Sequence, residues 1–172
     1  DGIPFTGIFD GSDHKIVNLT IDTAGVNNHF LGLFGKTNNV QAQVINLGLE
    51  NVSVLGGDES SYLGGLCAYN QYGTIDYCYA TGSVSRGAYD LGGLCGINSE
   101  GTITNSFANS FVEGSNTYFI GGLCGFNHKG TISKCYSKGY VGGVNLQYVG
   151  GLCGVNTLGG LISLCFAANS TA

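Results

Sequence analysis

Ser61-Tyr62-Leu63-Gly64-Gly65-Leu66-Cys67 returns three times, as Asp90-Leu91-Gly92-Gly93-Leu94-Cys95, Phe119-Ile120-Gly121-Gly122-Leu123-Cys124 and Tyr148-Val149-Gly150-Gly151-Leu152-Cys153. Gly65, Gly93, Gly122 and Gly151 lie 28, 29 and 29 residues apart, and a looser copy, Gly32-Leu33-Phe34-Gly35, sits 33 residues earlier. A fixed period of this size denotes stacked structural units, none of which buries its apolar face alone.

Within each unit the apolar residues keep strand periodicity. Leu63, Leu91, Ile120 and Val149 form one column, Cys67, Cys95, Cys124 and Cys153 a second, and Tyr69, Ile97, Phe126 and Val155 a third, all on the parity of a strand with one buried face. Further along, Ile75, Ile103, Ile132 and Ile162 hold register, followed by Cys78, Ser106, Cys135 and Cys165, and then by Val84, Val112 and Val141. The Leu33, Leu66, Leu94, Leu123 and Leu152 column breaks this alternation, so either the glycine pair bulges the strand or an outer apolar stripe exists. No stretch shows helical periodicity. The expected fold is an all-β parallel β-helix, a β-solenoid of about 29 residues per coil, right-handed by the general rule for parallel crossovers. One domain, 1–172, divides into a lead-in coil (1–28), a divergent repeat (29–60) and full repeats at 61–88, 89–117, 118–146 and 147–172. In-register stacking would also turn Asn70, Asn98, Asn127 and Asn156 into an asparagine ladder.

Composition agrees with a glycine-rich β chain. Only 10% of residues are charged, 31 are glycine and 43% are hydrophobic. A net charge of -5 supplies no basic patch, which argues against nucleic acid as a partner. No apolar run is long enough to span a bilayer as a helix. The absence of methionine is expected of a processed or excised segment.

Gly122-Leu123-Cys124-Gly125, then Asn127, Gly130-Thr131-Ile132, Cys135-Tyr136 and Gly139 with Val141, resembles the GLUG repeat of bacterial surface proteins. Pro4-Phe5-Thr6-Gly7-Ile8-Phe9-Asp10-Gly11 and the run from Lys15 to Ile21 look like the lead-in that precedes such repeats. The third position of the motif holds Phe34 once and cysteine in four copies, a departure from the family's usual aliphatic residue. The resemblance implies a segment of a large secreted or cell-wall protein, adhesin-like or flanking a surface protease, with no catalytic role in the repeat.

Candidate chemistry is sparse. No pair of cysteines has zinc-site spacing, and no metal or other cofactor is expected. Within a unit, Cys67 with Cys78, Cys124 with Cys135, and Cys153 with Cys165 could cross the core as disulfides, leaving Cys95 opposite Ser106 without a partner; alternatively all seven are small apolar core fillers. Tyr79, Phe107, Tyr136 and Phe166, with Phe111 and Tyr140 four residues on, form either an outward interaction stripe or part of the core. Asp76, Asp90, Glu100 and Glu113 fall at variable outward or turn positions, so no catalytic carboxylate pair is expected. Asn18, Asn51 and Asn169 begin Asn-x-Ser/Thr sequons. These readings favour a non-enzymatic structural or adhesive segment, extracellular or at the cell surface, whose partners are copies of itself or flanking domains. The alternative is a carbohydrate-binding module that meets glycans with the aromatic stripe.

Overall fold

The computed structural model describes residues 2–171, which form 23 short strands and no helix. Every strand-to-strand ladder is parallel, and four sheets run the length of a β-solenoid. Sheet A stacks Phe34–Asn38, Cys67–Gln71, Cys95–Ser99, Cys124–His128 and Cys153–Thr157. Sheet B stacks Ile8–Asp10, Gln43–Ile45, Thr74–Asp76, Thr102–Thr104, Thr131–Ser133 and Leu161–Ser163. Sheet C carries the longest strands, Gly48–Leu55, Tyr79–Ser85, Phe107–Ser115, Tyr136–Val144 and Phe166–Thr171, with Lys15–Val17 and Thr20–Asp22 on its first edge. Sheet D holds His29–Leu31, Ser61–Gly64, Asp90–Gly92, Phe119–Gly121 and Tyr148–Gly150. Each repeat visits D, A, B and C in that order, and the lead-in enters at B and C.

The copies stack in register. Ile75, Ile103, Ile132 and Ile162 sit above one another, as do Cys67, Cys95, Cys124 and Cys153. Parallel strands lie about 4.8 Å apart, so each inward side chain packs on its own copy as well as across the coil.

The glycine pair determines the cross-section. Gly64 and Gly65 end one strand and turn the chain, and Sheets D and A are separate for that reason. A Cβ on Gly65 would come within 2.6 Å of the Gly93 carbonyl oxygen and 3.1 Å of the Ala80 Cβ. This corner therefore presses against Sheet C and pinches the coil at a waist. On one side of the waist lie Leu66, Cys67, Ile75, Cys78 and Ala80 with their copies. On the other lie Leu63, Leu91 and Ile120 against Val54, Val84, Val112 and Val141. The leucine column faces inward, since Leu66, Leu94 and Leu123 are wholly buried. The break in alternation is thus a corner, and there is no outer leucine stripe.

The third expected column differs from the reading. Tyr69 and Phe126 are half-buried and lie outside both core clusters, Tyr69 packing on Phe30 and Tyr62 and Phe126 on Phe119. The rings fill the angle between Sheets D and A on its outer side.

Corners between strands use left-handed backbone at non-glycine residues. Tyr77, Asn105, Lys134 and Leu164 take φ of 50°, 47°, 53° and 54° at equivalent places before the second inner column. Tyr72, Glu100, Lys129 and Leu158 do the same after Sheet A, with φ of 62°, 53°, 54° and 54°.

Candidate functional site

The outer face of Sheet C carries the aromatic residues singled out in the sequence. Strand alternation turns Ala80, Ala108 and Val112 inward and Tyr79, Phe107, Tyr136 and Phe166 outward. The first three rings are half-buried, and Phe166 on the last coil is 55% exposed. Ring centroids are separated by 4.9 Å from Tyr79 to Phe107, 4.7 Å from Phe107 to Tyr136 and 5.0 Å from Tyr136 to Phe166, with planes within 3°, 5° and 6° of parallel. Phe111 and Tyr140 form a second stack at 4.5 Å and 12°.

These rings spend their faces on one another. A sugar lying on an aromatic residue needs a free ring face, and the inner rings of the first stack, Phe107 and Tyr136, have both faces covered by their neighbours. At its first end the stack is closed by the chain itself, because the Tyr79 ring lies over Gly48, where a Cβ would meet it at 2.4 Å. Tyr79 Oη donates to Glu50 Oε1 at 3.0 Å, and Lys15 Nζ donates to Glu50 Oε2 at 2.9 Å. Lys15 accordingly holds the Glu50 carboxyl below its usual range, with the Tyr79 hydroxyl adding to the effect.

The seven cysteines are free thiols in two inner columns. The three intra-coil pairs, Cys67 with Cys78, Cys124 with Cys135 and Cys153 with Cys165, are not formed. In-register stacking instead sets Cys67, Cys95, Cys124 and Cys153 one above another, while the Cys95, Cys124 and Cys153 thiols donate to the carbonyls of Ile97, Phe126 and Val155 at 3.0, 3.4 and 3.1 Å. Ser106 fills the gap in the second column, its hydroxyl accepting from the Cys78 amide at 3.0 Å and donating to the Thr104 carbonyl at 2.6 Å. Burial pushes the Cys78 thiol up to about 11 and Cys135 to about 12, and raises Cys95 and Cys124 well above the ordinary value. A thiol that is not ionised near neutral pH is a poor nucleophile and a poor metal ligand. Among the described residues no three metal-ligating side chains converge.

The asparagine ladder is continuous. Asn70, Asn98 and Asn127 donate from Nδ2 to the Oδ1 of Asn98, Asn127 and Asn156 at 2.8, 2.8 and 2.7 Å. Thr37 starts the series by donating to Asn70 Oδ1 at 2.7 Å. Each amide also donates to the carbonyl of the corner glycine in its own coil, Gly73, Gly101, Gly130 or Gly160.

Of the four acids read as outward, Asp90 departs from the expectation. It begins the third strand of Sheet D, is 3% exposed, and has no hydrogen-bond partner for Oδ1. Burial alone raises its carboxyl to about 7. The signal in the sequence is substitution within a repeat: Tyr62, Phe119 and Tyr148 occupy the equivalent place in the other full copies. Asp76 by contrast stays at a corner and accepts from Asn105 Nδ2 at 2.8 Å. Of the sequons, Asn18 and Asn51 are exposed and bonded to each other at 2.7 Å, whereas Asn169 turns inward and accepts from the Ser137 hydroxyl at 2.9 Å.

Known proteins share these features. Residues 59–85 match the family model of the GLUG motif. A stretch of 85 residues is 38% identical to Halomucin of Haloquadratum walsbyi, covering 49% of this chain and 1% of that protein. The crystal structure of a Bacteroides ovatus protein described as an immunoglobulin A1 protease superposes on 98% of this chain and 52% of its own, with a TM-score of 0.78 and 24% identity, a likeness of fold. The chain thus spans a small part of one relative and about half of the other. With a GLUG motif at residues 59–85 and coils that repeat its pattern stacked one upon another, the chain is a β-solenoid that fits a structural repeat segment.

Proposed function

We propose that this segment is a non-enzymatic structural and adhesive element of an extracellular surface protein, acting as a stiff spacer whose coils continue into, or dock end to end with, further coils. The observation that carries this reading is the use made of the outer face of Sheet C: rings that could have met a ligand stack on one another from coil to coil. The recurring polar residues follow the same pattern, since the asparagine amides bond to their own copies. The GLUG match and the similarity to Halomucin support a place in a large repeat-bearing protein.

End-to-end docking draws support from the in-register parallel stacking of the coils, a pattern that a further copy could extend. Sedimentation velocity over a concentration series, with electron microscopy of the same samples, tests the association. Growth into elongated species supports docking, and strict monomers at high concentration remove it.

A second reading, carbohydrate binding, is favoured by the 44% exposure of Phe111, whose ring stacks on Tyr140 on one side and has Ser83 for a register partner on the other. A glycan array separates the two. Binding abolished by Phe111→Ala would support the module, and an array without hits leaves the spacer.

A further inference from the structure

Asp90 is the only carboxylate among the described residues that is buried. It stands in a column otherwise made of rings: Phe119 pairs with it directly, Tyr148 pairs with Phe119, and Tyr62 lies on its other side, one residue ahead of the Leu63 and Leu91 pair. Ile97, 6% exposed, occupies the adjoining place on Sheet A between Tyr69 and Phe126.

The titratable groups facing the carboxyl supply no positive charge. Sheet D presents Tyr62, the preceding turn Tyr89, and Sheet A Tyr69 and Cys124. On Sheet A, Lys36 is two rungs away by register and held over the Tyr69 ring at 4.9 Å from its centroid, and Arg86, four residues ahead of Asp90 in the same coil, is exposed. His128 packs on Phe126, in the following coil. An ionised Asp90 is therefore largely withdrawn from water, 3% exposed, and its Oδ1 is fully buried with no donor to accept from.

We propose that the Asp90 corner is a pH-operated latch in the middle of the solenoid: protonated, the Asp90–Gly92 strand stacks as tightly as its neighbours, and ionised, it loosens and bares the rings of Tyr62, Tyr89 and Phe119. The direction follows from linkage. The folded carboxyl titrates near 7, above its ordinary value of 3.8, so the stability it permits is complete below about pH 4. That stability is lost as pH rises through the folded value, and the profile is flat above it. Because one proton is involved, the opening equilibrium shifts about tenfold per pH unit in that window.

Amide hydrogen exchange of the whole chain, corrected for its intrinsic pH dependence, tests the latch in wild type, Asp90→Asn and Asp90→Phe between pH 4 and 9. In wild type, protection of the segment 90–96 is expected to fall by up to about a thousandfold by pH 7 and then level off. The equivalent segment 119–125 of the next coil should keep its protection. Asp90→Asn removes the charge and should make segment 90–96 independent of pH. Asp90→Phe restores the ring to the column and should do the same. An unchanged pH profile in Asp90→Asn, or an equal loss of protection in both segments of wild type, would overturn the proposal. This test does not depend on the spacer reading, because it follows one corner of the fold whatever the chain adheres to.

Discussion

Asn98 and Asp90 are both polar, both buried and only eight residues apart, and they meet opposite fates. Asn98 has a copy above and a copy below, and each supplies what the other needs: it accepts from Asn70 and donates to Asn127. Asp90 has an aromatic ring on either side and accepts from nothing at Oδ1. In a stacked repeat a polar residue is satisfied by being repeated, and the cost of burying one falls on the copy that departs from the pattern. The same rule covers the outward rings, which cover each other's faces.

The largest expected effect comes from breaking the satisfied side of this pair. Asn98→Leu removes one acceptor and two donations, leaving Asn70 Nδ2, the Gly101 carbonyl and Asn127 Oδ1 each short of a bond. A loss of about 3–5 kcal/mol is expected in urea unfolding, on the basis of about 1–3 kcal/mol for each buried group so orphaned. Asp90→Asn sharpens the other side. Its neutral amide should stabilise the chain by up to about 4 kcal/mol at pH 8 and by almost nothing at pH 4, because the carboxyl, raised to about 7, is already neutral at the lower pH. Thermal melts of the two proteins at both pH values provide the check.

Third in size is the outer stack. Phe107→Ser with Tyr136→Ser breaks all three contacts of the Tyr79 to Phe166 series and should cost about 2–4 kcal/mol, at roughly 1 kcal/mol per stacked pair plus lost burial. A melting temperature unchanged by the pair would mean that the stacks contribute nothing to the fold. The smallest effect is at a corner. Lys134, at φ 53°, occupies the place that Asn105 takes in the preceding coil. Lys134→Asn should therefore stabilise by about 0.5–1 kcal/mol, as asparagine tolerates the left-handed region better than lysine.

Much of this architecture is legible in the residues, because a repeat states each position several times. The Ile75 to Ile162 column, the cysteine columns and the asparagine ladder could be aligned by eye, and stacking followed from the period. Three features could not be read that way. The glycine pair splits one apparent strand into two and turns Leu66 inward, since period-two counting cannot see a backbone bend that brings Gly65 against Sheet C. The left-handed corners escaped notice because Tyr77, Lys134 and Leu164 carry none of the usual glycine signal and are held there by the strands on either side. Asp90 reads as a variable outward or turn position, yet its place in the repeat belongs to an aromatic residue and is buried. The disulfide alternative failed for a related reason: spacing within a coil measures distance along the chain, while the cysteine columns run along the axis.

The asparagine ladder also has a sense of direction, every amide handing its hydrogen toward the C-terminal coil. Any unit inserted or removed as a whole period leaves that sense unbroken, since donor still meets acceptor at the new junction. A gene encoding such a segment could therefore gain or lose coils by unequal recombination between its repeats and still specify a sound solenoid. A copy inserted upside down would set donor against donor and find no place in the stack.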